Sequence, residues 1–361
     1  MNTAIILGDS TNNTLSVVRS LGKANVRFVL ILVGSHDGCN VSKSKYVKRN
    51  RLIRVGEIAD CQGVFEELES GVVICTFDEA AEWVDNKESE LSEKHMTPCR
   101  GKRIGNLFNK DNQCELAKEC GLTVPVSALY RRGDDLNSLT IPYPLILKPL
   151  YSTKGEKSDI HICHSVRDVE KALEASSMCN EFIVQEFIIK EYELDCIGVR
   201  TDNVTIVAGA VQKIRHYPDM IGAGAFGLFR PLNEGEINID GLNKFLEKSN
   251  YHGPFSVEFL HTKEGKNYFM EVNFRNEGLA QVATDAGANL HGLYVTGEKI
   301  SNHIKRIYMM NYSIDYLHVK EGRISKSRWW KDFFKTRSFI NASIVDPMPV
   351  IHHYLRKLHL A

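Results

Sequence analysis

Apolar residues near the start of the chain occur in short runs that are separated by helical patterns. Runs typical of buried strands cover residues 3–8, 26–33 and 71–75, and a shorter run lies near residues 51–55. Strands that alternate with helices in this way are typical of a parallel sheet. We therefore predict one small α/β domain over residues 1–105.

The middle of the chain alternates strands and helices less regularly. Apolar strand patterns cover residues 143–149, 182–189 and 204–211. These strands follow the first domain and precede the C-terminal extension.

Residues 222–227 match the pattern G-x-G-x-x-G letter for letter. This pattern indicates a dinucleotide site only where a strand enters it and a helix leaves it, and neither element is evident here. We therefore reject the dinucleotide interpretation. We predict a flexible, glycine-hinged loop at the active site instead.

Residues 268–275 predict a strand whose two faces differ in chemistry. Successive side chains of a strand point to opposite faces. One face has the apolar residues Tyr268, Met270, Val272 and Phe274. The other face has the polar residues Glu271, Asn273 and Arg275. The apolar face can pack against a core, and the polar face combines a carboxylate and an amide with a guanidinium group suited to an anion.

An earlier strand pattern, residues 255–260, contains Glu258. If residues 264–265 are the two turn residues of a hairpin, Glu258 lies directly opposite Glu271. Carboxylates placed in this way destabilise a sheet unless a cation lies between them. A Mg²⁺ ion held by Glu258, Glu271 and Asn273 would supply that cation. The alternative is a solvent-facing hairpin whose charges are paired with nearby lysines.

Lys148 lies inside the apolar strand pattern of residues 143–149. A lysine in this position is unusual, and it indicates either contact with a phosphate or a side chain that extends to water from the strand end. Residues 151–157 follow as a loop of small residues with two lysines. Such a loop is suited to backbone N–H contacts with phosphate oxygens.

The composition is that of an ordinary globular protein without a global charge. The chain has 361 residues, of which 43% are hydrophobic and 25% charged, and 45 Lys and Arg balance 45 Asp and Glu. This balance gives no reason to expect a nucleic-acid partner. The nine cysteines include no C-x-x-C pair, which argues against a zinc site and a disulfide framework. Because a signal peptide is also not evident, we expect a cytoplasmic protein.

The last part of the chain, residues 311–361, is basic and aromatic. It contains nine Lys and Arg and four Asp and Glu, and two of the three tryptophans lie in residues 328–335. Residues 350–360 predict a short amphipathic helix. We expect a basic helical extension that packs on the domain before it, or that contacts a membrane surface or a partner through residues 326–361.

Five short motifs follow one another along the chain: residues 109–110, residues 146–149, residues 185–188 with Glu193, residues 257–259 and residues 271–275. Their order and approximate spacing are those of the ATP-grasp enzymes, and the chain resembles the carboxylate–amine ligase branch of that superfamily. The first domain looks like the Rossmann-like pre-ATP-grasp domain of proteins similar to carbamoyl-phosphate synthases and D-aspartate ligases. The resemblance covers residues 1–305 and implies an ATP-grasp fold of two α+β subdomains, over residues 106–190 and 191–310.

The resemblance implies which residues bind the nucleotide. Lys110 and Lys148 would contact the phosphates of ATP. The loop that would cover the phosphates contains Ser152, Lys154 and Lys157. The adenine would be held, largely through the backbone, by Glu186, Phe187 and Ile188. Glu193 would accept hydrogen bonds from the ribose hydroxyls.

The resemblance also assigns the metal and the anionic reaction centre. Glu258, Glu271 and Asn273 would hold Mg²⁺ or Mn²⁺, and Arg275 and Arg215 would face the γ-phosphate and an acyl phosphate. The chain departs from the family pattern at Phe274, where a proline usually follows the metal-binding asparagine. The loop of residues 151–157 also has fewer glycines than is usual.

The activity implied by the resemblance is the ATP-dependent joining of a carboxylate and an amine through an acyl phosphate, with release of ADP and phosphate. The expected partners are small-molecule carboxylate and amine substrates and a second copy of the chain in a homodimer. Two alternatives stay open at this point. One is activation of bicarbonate in a carboxylase or carbamoyl-phosphate-type reaction. The other is a non-catalytic nucleotide-binding protein.

Overall fold

The computed structural model describes residues 3–34, 40–136, 139–150, 160–176, 179–202, 204–218, 222–301 and 303–358. The strands of these residues form three sheets with different topologies. Within the described ranges, no helix combines the length and the apolar character that crossing a membrane requires.

The first sheet lies in the N-terminal part of the chain and is parallel. Its strands are β1 (Ala4–Gly8), β2 (Phe28–Val33), β3 (Leu52–Val55) and β4 (Val72–Cys75). They lie in the order β3-β2-β1-β4. The helices of this region are α1 (Asn12–Lys23), α2 (Cys61–Glu67), α3 (Asp78–Asn86) and α4 (Glu88–Leu91). The predicted parallel α/β arrangement is confirmed.

The second sheet is antiparallel and has four short strands. They are β5 (Ser127–Arg131), β6 (Leu145–Pro149), β7 (His161–Cys163) and β8 (Glu181–Glu186), in the order β5-β8-β6-β7. Helices α5 (Lys110–Glu119) and α6 (Val166–Ala175) belong to the same part of the chain.

The third sheet has seven strands, which are antiparallel except for the last pair. They are β9 (Tyr192–Arg200), β10 (Thr205–Tyr217), β11 (Ala223–Arg230), β12 (Gly253–His261), β13 (Asn267–Asn273), β14 (Ile307–Met310) and β15 (Thr336–Phe339). Their order is β13-β12-β9-β10-β11-β14-β15. Helices α7 (Ile239–Ser249), α8 (Ala280–Asp285) and α9 (Leu290–Thr296) accompany this sheet.

One apolar core joins the first sheet to the third. Leu21 of α1, Leu30 of β2, Ile197 of β9, Val282 of α8 and Met309 of β14 are buried together in it. Because side chains from both sheets are withdrawn from water at the same place, the hydrophobic effect holds the two parts of the chain together.

The glycine-rich segment predicted as a flexible loop is part of strand β11, and that prediction is wrong for residues 223–227. β11 pairs with β10 on one side and with β14 on the other. A Cβ atom on Gly227 would lie 2.9 Å from the carbonyl oxygen of Gln212. The glycine therefore permits a close approach of two strands rather than a hinge.

The C-terminal extension is part of the fold rather than a separate tail. Its helices are α10 (Tyr312–Asp315), α11 (Leu317–Lys320), α12 (Lys326–Lys335) and α13 (Met348–Lys357). β15 adds a parallel edge strand to the third sheet, and Trp329 packs in a small aromatic core with Phe226. A truncation at residue 311 would consequently remove a strand and expose this core.

A buried ion pair connects the extension to the first domain. The Nε of Arg19 in α1 donates to Asp346 at 3.1 Å, and both side chains are buried. The Asp346 carboxylate also accepts hydrogen bonds from the Ser44 hydroxyl and the Lys45 backbone N–H, both at 2.9 Å. These contacts together fix the extension on the N-terminal domain.

We predict that Asp346→Asn lowers the free energy of unfolding by about 3–5 kcal/mol, because it leaves the buried Arg19 guanidinium without a counter-charge. Urea denaturation monitored by tryptophan fluorescence measures the change. The exposed Glu234, changed to Gln, is the matched control and should unfold like the wild type. Equal stability of the two variants would contradict the role assigned to the ion pair.

Candidate active site

A cleft between the second and third sheets contains two adjoining cavities, each with a volume of about 400 Å³. The apolar cavity is lined by aliphatic and aromatic side chains such as Ile146, Phe187 and Leu260. The polar cavity reaches the N-terminal domain and includes Asn12 and Asp78. Six charged residues line both cavities, and they are Lys110, Lys148, Glu193, Lys213, Glu258 and Glu271.

The segment that follows β8 forms one wall of the apolar cavity. Glu186, Phe187 and Ile188, which the sequence analysis assigns to a ring-binding segment, all line it. The backbone N–H of Glu186 donates to the Val126 carbonyl at 2.8 Å, and that of Phe187 donates to the Pro144 carbonyl at 3.3 Å. The segment is therefore held in place, and its apolar surroundings are suited to a flat heteroaromatic ring.

The hairpin of β12 and β13 has the predicted pairing at Glu258 and Glu271, but not between these residues and the turn. Glu258 lies opposite Glu271, as the sequence predicts. Nearer the turn the register shifts by one residue, because Met270 forms a bulge and Phe269 pairs with Phe259. The predicted facing of Tyr268 and Met270 is consequently wrong. Phe269 is buried in the core instead, and Met270 lines the apolar cavity.

Helix α5 positions Lys110 beside this hairpin. Asn109 caps the helix by accepting hydrogen bonds from the backbone N–H groups of Asp111 and Asn112. Gln113 exchanges two hydrogen bonds with the backbone of Val272 on the edge strand β13. The Nζ of Lys110 then lies 2.9 Å from the carboxylate of Glu271. This positive charge lowers the pKa of Glu271 to about 2.

The predicted metal ligands lie together at the junction of the cavities. Glu258, Glu271 and Asn273 all line the polar cavity. The amide nitrogen of Asn273 donates to the Ser256 hydroxyl at 3.1 Å, which leaves its amide oxygen available as a ligand. Burial raises the pKa of Glu258, although the neighbouring Lys213 acts in the opposite direction.

Two carboxylates that the sequence analysis missed complete this acidic region. Ligand oxygens of Asp195, Glu258 and Glu277 lie within 4.8 Å of one another. Asp195 is fully buried, and neither of its carboxylate oxygens has a hydrogen-bond partner among the described residues. Burial raises its pKa well above the ordinary value, and the charge of Glu277 acts in the same direction. Carboxylate and amide oxygens of this kind fit a hard divalent cation.

Lys213 is the cation that the structure places among these acids, and the sequence analysis missed it as well. Its Nζ lies 3.2 Å from Glu193, 3.4 Å from Glu258 and 3.7 Å from Asp195. The signal was present, because β9 places Glu193 and Asp195 on one face and Lys213 lies opposite Glu193. The charges of Glu258 and Asp195 raise the pKa of Lys213 well above its ordinary value against the effect of burial.

Arg215 was predicted to face a phosphate, but its side chain points away from the cleft. Among the residues that the structure describes, it lines neither cavity. A bulge at Ile214 breaks the alternation between Lys213 and Arg215 on β10. The guanidinium instead binds Asp315 at 2.7 Å and Asp332 at 2.6 Å and lies over the ring of Phe226. It therefore anchors the C-terminal extension.

Glu193 lies at the boundary of the two cavities and is strongly paired. It accepts a hydrogen bond from His216 at 3.0 Å and contacts Lys190 and Lys213. Burial would raise its pKa, but these three groups hold the pKa well below its ordinary value. The carboxylate is consequently ionised and oriented towards the cleft.

Lys148 is buried, and its Nζ donates to the side-chain oxygen of Gln185 at 3.1 Å. Burial, together with the nearby charge of Lys110, lowers the pKa of Lys148 to about 8. The predicted phosphate contacts Ser152, Lys154 and Lys157 lie outside the described residues.

Arg275 lines the polar cavity at the end of β13. Its Nε donates to Asp78 at 2.7 Å, and this carboxylate raises the pKa of the guanidinium against the effect of burial. The neighbouring Phe274 is buried in an aromatic cluster with Phe108, Phe245 and Tyr251. The phenylalanine that replaces the usual proline thus fills a core position.

Comparison with known proteins supports the sequence-based expectation for the fold. No family model matches the chain. The vancomycin B-type resistance protein VanB of Enterococcus faecalis is 26% identical over 147 residues, which are 41% of this chain and 40% of VanB. The aligned region therefore spans well under half the length of that relative.

Solved structures resemble the chain over most of its length. One of them is N5-carboxyaminoimidazole synthase of Aspergillus clavatus in complex with ADP and 5-aminoimidazole ribonucleotide, with a TM-score of 0.69 at 15% identity. The alignment covers 86% of this chain and 82% of the synthase chain. The chain has the ATP-grasp fold. L-amino acid ligase of Bacillus licheniformis matches with a TM-score of 0.61 at 14% identity. The alignment covers 81% of this chain and 73% of the ligase chain. The fold that the resemblance implies is confirmed.

We predict that ATP binding above pH 8 is coupled to proton uptake at Lys148. In the free protein this lysine is largely neutral above its pKa of about 8. A polyphosphate favours the charged form, so the dissociation constant should rise by up to about tenfold per pH unit. Calorimetry at pH 8.5 in two buffers with different ionisation enthalpies measures the uptake.

Lys148→Arg is the matched variant for this experiment, because a guanidinium stays charged over the whole range. It should bind ATP without the proton uptake. The same uptake in both proteins would show that another group titrates.

Proposed function

We propose that the protein is an ATP- and Mg²⁺-dependent carboxylate–amine ligase that works through an acyl phosphate. The observation that carries the proposal is the junction of the two cavities, where Lys110 and Lys148 meet the facing carboxylates Glu258 and Glu271. Phosphoryl transfer needs cationic groups, a divalent metal and a water-poor site more than a protein nucleophile. The junction has the cationic groups, the ligands for a metal and the burial that this reaction requires.

In this proposal the nucleotide occupies the apolar cavity. The adenine lies against Phe187 and Met270, and Glu193 accepts hydrogen bonds from the ribose. Lys110 and Lys148 hold the phosphates at the junction. Ser152, Lys154 and Lys157 remain predicted contacts of the same phosphates.

Glu258, Glu271 and Asn273 would hold Mg²⁺, or Mn²⁺ in its place. The metal would neutralise the charge of the phosphates when bound. The pKa of Glu271 stays near 2, so this ligand is ionised at any physiological pH. Lys110, which pairs with Glu271 in the free protein, is free to turn towards a phosphate once a metal takes up that charge.

The polar cavity receives the two other substrates. A carboxylate oxygen attacks the γ-phosphorus atom, and ADP leaves. The amine nitrogen then attacks the acyl carbon, phosphate leaves and the nitrogen loses a proton. Arg275 lines this cavity as a permanently charged group and is suited to the anionic acyl phosphate.

A second candidate function is the ATP-dependent carboxylation of an amine with bicarbonate. The observation in its favour is that several of the similar structures are N5-carboxyaminoimidazole ribonucleotide synthetases, including one from Staphylococcus aureus with a TM-score of 0.68 at 16% identity. The two functions share the phosphorylation step and differ in the acid that is activated.

We predict ADP release that depends on an organic carboxylic acid, and its stimulation by an amine. A matrix of carboxylic acids and amines, with ADP detected by a coupled assay and products by mass spectrometry, measures it. ADP release with bicarbonate alone would select the carboxylase. ATP binding without any acid-dependent turnover would favour a non-catalytic nucleotide-binding protein.

We predict that Glu271→Gln lowers acid-dependent ADP release by a factor of about 100 or more, because it removes a charged metal ligand at the transferring phosphate. Asn273→Ala should have an effect in the same direction. Glu264→Gln, at the exposed turn of the same hairpin, is the matched control. Unchanged thermal unfolding of the variants shows that the loss is not one of folding, and wild-type turnover in Glu271→Gln would refute the metal assignment.

We also propose that helix α12 of the extension contacts an anionic membrane surface. Trp330 and Phe334 are one helical turn apart and have 49% and 73% of their surfaces exposed. Lys326 lies one turn before them and Lys331 beside them, both exposed. Exposed aromatic and basic side chains on one helix face are typical of binding to the interface of an anionic bilayer.

We predict that Trp330→Ser combined with Phe334→Ser lowers binding to phosphatidylserine vesicles by about tenfold or more, because two aromatic contacts with the bilayer are lost. Vesicle co-sedimentation measures the binding. Val166→Ser, which removes an exposed apolar side chain elsewhere, is the control. Equal sedimentation of the double variant and the control would contradict the proposal, as would binding to neutral vesicles alone.

A further inference from the structure

Glu277 differs from the other acidic residues of the polar cavity in its partners. Asp78 pairs with Arg275, Glu271 with Lys110, and Glu193 and Glu258 with Lys213. In the part of the chain that the structure describes, no cationic side chain lies within ion-pair distance of Glu277, and its buried Oε2 has no hydrogen-bond partner. Among the described residues Glu277 therefore has no direct ion-pair partner, although the charges of Lys213 and Arg275 act on it from a greater distance.

A buried carboxylate, Asp195, lies next to the half-buried Glu277, with ligand oxygens of the two residues within 4.8 Å of each other. Asp195 is fully buried, and both its oxygens lack a hydrogen-bond partner within the described ranges. Its nearest cation is Lys213, at 3.7 Å, and that lysine is shared with Glu193 and Glu258. Asp195 therefore supplies no counter-charge to Glu277, and the cation nearest to it is already shared.

The backbone on both sides of Glu277 is fixed against the beginning of α1. The side-chain amide of Asn276 donates to the backbone carbonyl of Asn13 at 2.7 Å and to the Ser16 hydroxyl at 2.8 Å. The backbone N–H of Gly278 donates to the Asn13 side chain at 2.8 Å. Glu277 is consequently presented to the cavity from a rigid segment, as recognition of a defined group requires.

We infer that Glu277 binds the ammonium group that the amine substrate carries when it enters the cavity. This nitrogen gives up one proton to water before it attacks the acyl carbon. The inference rests on the proposed ligase function and adds the chemical class of the second substrate. A primary ammonium has three donors and pairs well with a carboxylate that is partly withdrawn from water. Glu277, which lines the polar cavity, therefore favours an amine substrate that enters as a cation.

A divalent metal is the other occupant that three close carboxylates could take. Glu258 already belongs to the metal site of the proposed function. Lys213, at 3.7 Å from Asp195, opposes a second dication between Asp195 and Glu277. The carboxylate that remains without a counter-charge among the described residues is Glu277, at the cavity wall. A monovalent ammonium matches this arrangement better.

The test compares Glu277→Gln, which keeps the size of the side chain and removes its charge, with the wild type. The acid and amine are the pair that gives the fastest ADP release in the substrate matrix. The KM for the amine should rise about tenfold or more. Hydroxylamine, a small nucleophile that is neutral at pH 7.5, should still trap the acyl phosphate as a hydroxamate at a rate within about twofold of wild type.

Two further variants make the comparison specific. Glu277→Asp keeps the charge and should retain a KM closer to the wild-type value. Glu298→Gln, an exposed change after α9, should leave both assays unchanged. Thermal unfolding of each variant separates recognition from folding, and Glu277→Asp decides the question if Glu277→Gln is unstable.

Three results would overturn the inference. The first is an unchanged KM for the amine in Glu277→Gln. The second is a hydroxamate rate that falls in the same proportion as the amine reaction, which would assign Glu277 to acyl phosphate formation. The third is that Glu277→Gln binds one Mn²⁺ ion fewer than the wild type in a calorimetric titration without nucleotide. That result would make the cluster a metal site. A wild-type protein that forms neither product nor hydroxamate from any acid would instead refute the ligase function itself.

Discussion

The arrangement of the cleft depends on the charge of a single buried lysine. Lys213 contacts the carboxylates of Glu193, Asp195 and Glu258 and has only 7% of its surface exposed. Carboxylates this close would repel one another at low dielectric, and loss of one partner of such a buried group costs roughly 3–5 kcal/mol. The position of Lys213 on the central strand β10 therefore allows an acidic, water-poor cleft to exist before any ligand enters.

The sequence allowed the pairing of Glu258 with Glu271 to be predicted, because a hairpin contact is local and the alternation of side chains is strong. It also allowed the cleft residues Lys110, Lys148, Glu186 and Glu193 to be named, through the motifs that the chain shares with ATP-grasp enzymes. The parallel sheet was predictable from its strands alone. They are nearly continuous apolar runs, and few other structures accommodate such runs.

Two bulges account for two differences from the sequence analysis, the facing of residues 268–270, which came from the alternation rule, and the position of Arg215, which came from the family resemblance. The bulge at Met270 turns Phe269 into the core, and the bulge at Ile214 turns Arg215 away from the cleft. A bulge adds one residue to a strand and reverses the facing of the residues beyond it. Its position depends on the neighbouring strands, so the residues of one strand do not reveal it. The sequence analysis expected the C-terminal extension to pack on the domain before it or to contact a membrane or a partner. It did not name the residues that hold the extension, because Arg19 and Arg215 are distant from it along the chain.

The ion pair of Arg19 and Asp346 has a consequence for the order in which the protein can mature. The two residues are 327 positions apart. During synthesis Arg19 emerges from the ribosome with the first helix, whereas its counter-charge emerges only after all the intervening residues have been translated. The N-terminal domain would therefore stay incompletely packed on the ribosome until the extension emerges, and chaperones would have a long interval in which to bind it.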